Sequence, residues 1–259
     1  MKTPHNPTVS TLAMTALILG LAGPAAQARD DGEIPFSVSE IYFELNDTDG
    51  DLGIHSLIDG EPWKFLSIEG PDERQNLNIR VKSNLRRQGL TELFFESAEP
   101  PFDELPPEEF FGRFPEGVYE VEGLTLEGDE LESETVVTHL MPAPVENFTV
   151  NGEELPEDCD EDPVPAVSEP FVIDWDPVTL SHPEIGRTDE PIEVVRYEVI
   201  AEREEPTLVK FTILLPPDVT EVELPAGLAK EGEEWKVEVL TREESGNQTA
   251  TESCFEVGD

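Results

Sequence analysis

Along nearly the whole chain, short runs in which β-branched and aromatic residues alternate with polar ones are closed by glycine, proline, asparagine or aspartate about every 8 to 15 residues. In "SEIYFELN" the alternation sets Ile41, Phe43 and Leu45 on one face, and "LNIRVKS", "IEVVRYEVIAE", "LVKFTILLPP" and "EWKVEVLTREE" repeat it. A period of two belongs to a strand buried on one side, and many such strands at even spacing pack as a sandwich or barrel. The expected fold class is all-β. One stretch breaks the pattern. In "LPPEEFFGRF", Pro107 suits a first helical turn, Glu108 and Glu109 suit the positive helix end, and Phe110, Phe111 and Phe114 can reach a core, which predicts one short helix between strands.

The chain opens with Lys2 and no acidic residue, then an apolar run over residues 11–22, then Ala26-Gln27-Ala28 before Arg29. This is the layout of a secretory signal peptide, with cleavage expected after Ala28. No later stretch approaches the roughly 18 apolar residues of a membrane span, so the expectation is a periplasmic or secreted protein without membrane insertion. Pro142-Ala143-Pro144 supplies the best internal boundary, because two prolines in three residues fix φ and remove amide donors a central strand would need. The chain thus divides into a signal peptide at 1–28, a β-rich domain at 29–142 and a second domain at 143–259. The expected architecture is two tandem β-sandwich-like domains.

Acidic side chains number 59 against 16 Lys and Arg, a formal charge of −43, and they are spread over both halves rather than gathered in a tail. Such a surface repels nucleic acid and anionic membranes and favours a soluble monomer, so nucleic-acid binding is excluded as a function class. Even spacing reads as a whole-surface property suited to high salt, against a polyanion that collects cations. Cys159 and Cys254 in an exported chain allow one intramolecular disulfide, against free or intermolecular thiols.

The second half resembles a fibronectin type III domain over residues 143 to 258. The likeness is carried by a proline-led first strand, Trp175 in "FVIDWDPV", Tyr197 in "VVRYEVIAE", Leu224 ahead of "PAGLAKEGEEWKVEVLTREESGNQT", and the Gly246-Asn247 turn before the last strand. It implies an immunoglobulin-like sandwich with Cys159 past the first strand and Cys254 on the last. These strands border the same edge, so the resemblance makes the Cys159–Cys254 pairing geometrically reasonable. Trp235 stands where the family carries a tyrosine on its sixth strand. The first half, in "DTDGDLGIHSLIDG" and "LRRQGLTELFFESAEP", resembles exported proteobacterial proteins, a likeness that implies neither fold nor activity.

Two stretches carry candidate sites. In "NDTDGDLG", Asp47, Asp49 and Asp51 fill the first, third and fifth places of an EF-hand loop, but Leu52 holds the glycine position and Ile58 the bidentate glutamate position. The stretch is then either a weak Ca²⁺ site, with Asp59 as a fourth ligand, or a hairpin in which Asp49-Gly50 forms a two-residue type I′ turn. In "NIRVKSNLRRQG", Arg80, Lys82, Arg86 and Arg87 read either as a patch for an anion, a glycan carboxylate or an acidic partner, or as cations neutralising neighbouring carboxylates. Catalytic signatures are missing from the sequence. His55, His139 and His182 are dispersed, no G-x-S-x-G elbow or phosphate-binding glycine loop occurs, and Trp63, Trp175 and Trp235 sit in strand-like apolar runs. The expected role is a non-catalytic binding or spacer module with a protein or glycan partner in the envelope or outside the cell. Calcium-dependent adhesion or sensing, and a polysaccharide-binding accessory or enzyme domain, are the alternatives.

Overall fold

The computed structural model describes residues 33–156, 159 and 163–258, so the signal segment and its cleavage point lie outside the described residues. The first half contains β1 (Val38–Asn46), β2 (Asp51–Glu69), β3 (Gln75–Arg80), α1 (Ser83–Gln88), β4 (Leu90–Glu96), α2 (Pro107–Arg113), β5 (Gly117–Thr125) and β6 (Glu130–Val137). The expected helix is α2, with Pro107 in its first turn and Phe110 and Phe111 buried. A second helix, α1, occupies a stretch that sequence patterning reads as a turn; it buries no side chain, so no apolar stripe announces it. The runs "LGIHSLI" and "PWKFLSIEG" fuse into the single 19-residue β2. Irregular register between Asp59 and Phe65 lets this strand change partners, from β1 and β4 along its first part to β3 and β5 along its second.

The second half contains β7 (Thr149–Val150), β8 (Glu153–Glu154), β9 (Ala166–Val167), β10 (Val172–Asp174), β11 (Val194–Arg203), β12 (Val209–Leu215), β13 (Glu221–Glu223), β14 (Glu234–Glu243) and β15 (Gln248–Val257). One sheet runs β12-β11-β14-β15-β1-β2-β5-β6 and the other β13-β10-β7-β8. Alternation sorts the side chains into two cores. In the first, Phe43 of β1 meets Phe110 and Phe111 of α2 edge-on, with ring centroids 5.8 and 5.4 Å apart, above Ile41, Leu45, Trp63 and Leu66. In the second, Trp175 packs edge-on against Tyr197 at 5.3 Å, with Trp235, Val237 and Val239 of β14 beside them. All three tryptophans are fully buried.

The two cores share one sheet. β1 of the first half pairs in parallel with β15 of the second, Glu44 against Gln248 and Asn46 against Ala250. The Pro142-Ala143-Pro144 link is tied down along this seam: Thr249 Oγ1 donates to the Pro142 carbonyl at 2.8 Å and Val145 N–H to Thr251 Oγ1 at 3.1 Å, while Met141 is fully buried. A link that sequence composition marks as extended is therefore also a packed element, because the Pro142 carbonyl still accepts a hydrogen bond although its nitrogen cannot donate.

Cys159 and Cys254 form a disulfide with Cα atoms 5.9 Å apart, closing 95 residues of chain onto β15. In the chain-entropy account a loop of this length restricts the unfolded ensemble by about 4 to 5 kcal/mol. Replacing both cysteines by alanine should lower the unfolding free energy by about that amount in denaturant titrations. An unchanged midpoint in the double variant would sink the loop-closure account.

Candidate functional site

The stretch "NDTDGDLG" is a hairpin connection, but not of the two-residue kind. Asn46 pairs with Asp51, which leaves Asp47, Thr48, Asp49 and Gly50 as a four-residue loop. Gly50 alone among them has positive φ, at 66°, and its N–H donates to the Asn46 carbonyl at 2.9 Å. Asn46 also accepts from Asp49 N–H at 3.1 Å, an Asx turn that holds Asp49 outside the left-handed region a type I′ turn would require. The three aspartates diverge. Asp47 accepts a hydrogen bond from His182 Nε2 at 2.8 Å, and because His182 Nδ1 accepts from Glu184 and Ile185 N–H, the ring proton is fixed on Nε2. Asp49 lines a hollow of about 950 Å³ with Glu202, Glu233 and Lys236. Asp51 is partly buried, its carboxyl pushed up to about 6 by burial and by Glu99, Asp49, Glu252 and Glu44. Asp59 is not with them. It lies eight residues along β2, about 25 Å away at strand rise, where Ser37 Oγ donates to it.

Of Arg80, Lys82, Arg86 and Arg87, the first three gather. Arg80 ends β3 with its guanidinium 4.9 Å from the centre of the Phe65 ring, Lys82 precedes α1, and Arg86 and Arg87 occupy the last turn of α1. Arg80, Lys82 and Arg86 line one hollow of about 400 Å³ together with Lys64; Arg87 does not. Among the described residues none of these four predicted cations makes an ion pair, although carboxylates outnumber cations across the chain.

A second polar concentration, which sequence reasoning passes over, lies on the face of the shared sheet opposite the aromatic core. Strand alternation puts Tyr42 and Glu44 of β1 on this face, with Gly53 across from Glu44 and His55 across from Tyr42 on β2. Pairing continues it through Gln248 and Glu252 of β15 to Glu238 of β14. The loop after β4 folds back over it: Ser97 N–H donates to the Ile54 carbonyl, Ile54 N–H to Ser97 Oγ, and Phe102 N–H to the Gly50 carbonyl, which carries Glu99 onto the face. Glu99 Oε1 sits 2.9 Å from His55 Nε2, and Glu44 Oε2 lies 3.8 Å from His55 Nδ1. Gln248 Nε2 donates to Glu44. Burial holds the Glu44 carboxyl above the usual range, with Glu99 and Glu96 adding to it, in spite of His55 and Gln248. The only sequence signal was "ELN" against "GIH", a glutamate and a histidine on one face with a glycine opposite; Glu99 has none.

In the second half, the first, second and fifth long-range strands, β7, β10 and β13, form one sheet, while β11, β12, β14 and β15 lie together in the other. This strand order is that of a fibronectin type III-like sandwich. Among solved structures the chain is similar to the FN1–FN3 domains of chicken CNTN1, at 10% identity and a TM-score of 0.35, covering 88% of this chain and 65% of that one. It is also similar to a two-domain fibronectin type III segment of chicken tenascin, at 10% identity and a TM-score of 0.28, covering 85% and 98%, and to the third such domain of human KIAA0343, at 14% identity and 0.30, covering 47% and 86%. The fold rests on the strand order, not on these likenesses. No family model and no curated protein matches the chain. Among the described residues no helix is long and apolar enough to cross a membrane.

Proposed function

We propose that this chain is an exported, non-catalytic binding module that engages an anionic partner, a carboxylated polysaccharide, through the hollow lined by Lys64, Arg80, Lys82 and Arg86. The observation that supports this reading is the absence of ion pairs at Arg80, Lys82 and Arg86 among the described residues. Cations placed only to offset surface acidity would pair with it. Guanidinium groups match carboxylates in a planar, bidentate way, and Phe65 under Arg80 offers an apolar wall for a sugar ring. The disulfide and the fibronectin type III fold are compatible with an extracytoplasmic life.

The net charge of −43 works against a polyanion at long range, yet at physiological salt interactions are screened beyond about 8 Å. Binding should therefore be a local contact that survives about 0.15 M salt. Affinity chromatography on immobilised polyuronate, with neutral dextran as control, should retain the wild type, and Arg80→Gln/Arg86→Gln should lose at least tenfold in retention. Equal elution of wild type and double variant from polyuronate would sink the proposal.

A further inference from the structure

One side-chain oxygen or nitrogen from each of Glu44, His55 and Glu99 lies within 4.8 Å of those of the other two. Carboxylates crowd much of this surface, but three observations set this group apart. His55 is 4% exposed, and of its two ring nitrogens only Nε2 is hydrogen-bonded; Nδ1 faces Glu44 Oε2 across 3.8 Å, beyond hydrogen-bond reach. Gly53, directly across from Glu44, leaves the space that Glu99 fills: a Cβ there would fall 2.1 Å from Glu99 Oε1. Gln248 donates to Glu44 from the neighbouring strand, the kind of outer hydrogen bond that orients a ligating carboxylate.

The imidazole lies between two carboxylates, with Glu99 at Nε2 and Glu44 on the side of Nδ1. Glu96 stands across from His55 on β4, so the surroundings add further negative charge. A cation between ring and carboxylates removes the conflict. We propose that Glu44, His55 and Glu99 bind a single transition-metal dication of the zinc class, with water completing its coordination. An imidazole with two carboxylates suits zinc and its neighbours, whereas Ca²⁺ takes six to eight oxygens and has no use for a buried ring nitrogen. Tetrahedral bonds of about 2.0 to 2.1 Å set ligand atoms roughly 3.4 Å apart. The ion would take the place of the hydrogen between Nε2 and Glu99 Oε1, now 2.9 Å apart, with the half-buried Glu44 side chain turning toward it from within 4.8 Å.

The test uses the full mature chain, stripped with chelator and titrated with Zn²⁺ by calorimetry in excess Mg²⁺ and salt, which occupy the diffuse acidic surface. One Zn²⁺ per chain is expected, weakened at least tenfold in Glu99→Gln and in Glu44→Gln. Co²⁺ should give visible absorption bands in the wild type that Glu99→Gln loses. Glu99→Gln keeps a hydrogen-bonding amide beside the ring, and its melting curve without metal checks that it is folded. Uptake that Mg²⁺ displaces, or a single site indifferent to both substitutions, would assign the metal to the polyanionic surface and overturn the proposal. No uptake at all would overturn it equally.

Discussion

Replacing Asn247 by alanine is expected to lower the unfolding free energy by about 3 kcal/mol or more, although the residue lies in a turn. Its side chain is 1% exposed and joins three segments. Oδ1 accepts from Phe43 N–H on β1 at 2.9 Å, while Nδ2 donates to the carbonyls of Thr138 and Leu140, at 2.9 and 3.1 Å, in the link between the halves. Alanine would leave one buried amide and two carbonyls short of a partner at the point where β15 meets β1. Each such loss costs about 1 to 3 kcal/mol where water cannot reach. A cavity adds to this. Asn247→Asp separates the causes, because aspartate restores the volume and the acceptor but cannot donate and turns a negative oxygen toward two carbonyls. Denaturant titrations should show Asn247→Asp at least as destabilised as Asn247→Ala, with the Phe43 amide exchanging faster with solvent in the alanine variant. An aspartate variant as stable as wild type would show that volume, not hydrogen bonding, holds the seam.

The difference between Asn247 as a turn residue and Asn247 as a clamp marks where sequence reading stops. Strand positions were legible because burial on one face imposes a period of two, as in Trp235, Val237 and Val239, and α2 was legible because Pro107, two glutamates and a phenylalanine pair state its start and its buried side. The parallel pairing of β1 with β15 was not, since its partners are about 200 residues apart and parallel pairing leaves no local mark. The same holds for the site. Arg80, Lys82 and Arg86 were legible as near neighbours in sequence, whereas Glu44, His55 and Glu99 meet only through the β1–β2 register and a loop that folds back. The type I′ turn failed because Asn46, with its own Asx hydrogen bond to Asp49, outcompeted the Asp49-Gly50 pair for control of the loop.

Stability should fall, not rise, as pH increases from about 4.5 to 8, and Glu238 is the largest single reason. Its carboxyl is pushed up to about 8, first by burial and then by Glu252 directly across on β15 and by Glu44, with Lys210 opposing them. The folded state therefore keeps a proton that the unfolded chain gives up near pH 4.5. Below that pH both states are protonated and nothing is lost; above it the unfolded state gains until the folded carboxyl also ionises near 8, beyond which the full penalty stands. At about 1.4 kcal/mol per unit, discounted for the partial exposure of the group, the penalty is on the order of 3 kcal/mol. Asp51 adds to the trend with the same sign between about 4 and 6, and burial raises Glu44 and Glu243 as well. Glu233 works the other way: against burial, Lys230 N–H and Arg203 hold its carboxyl below the usual range. Denaturant titrations in chelator should give the wild type a higher unfolding free energy at pH 5 than at pH 8.5. Glu238→Gln should match it near pH 4 and exceed it by about 2 to 3 kcal/mol at pH 8.5. Salt provides the final distinction. Screening weakens the repulsion among Glu238, Glu252 and Glu44 but leaves desolvation untouched, so added salt should recover only a minor part of the loss at pH 8.5. Complete recovery in salt would move the cause from the buried glutamate to the acidic surface as a whole.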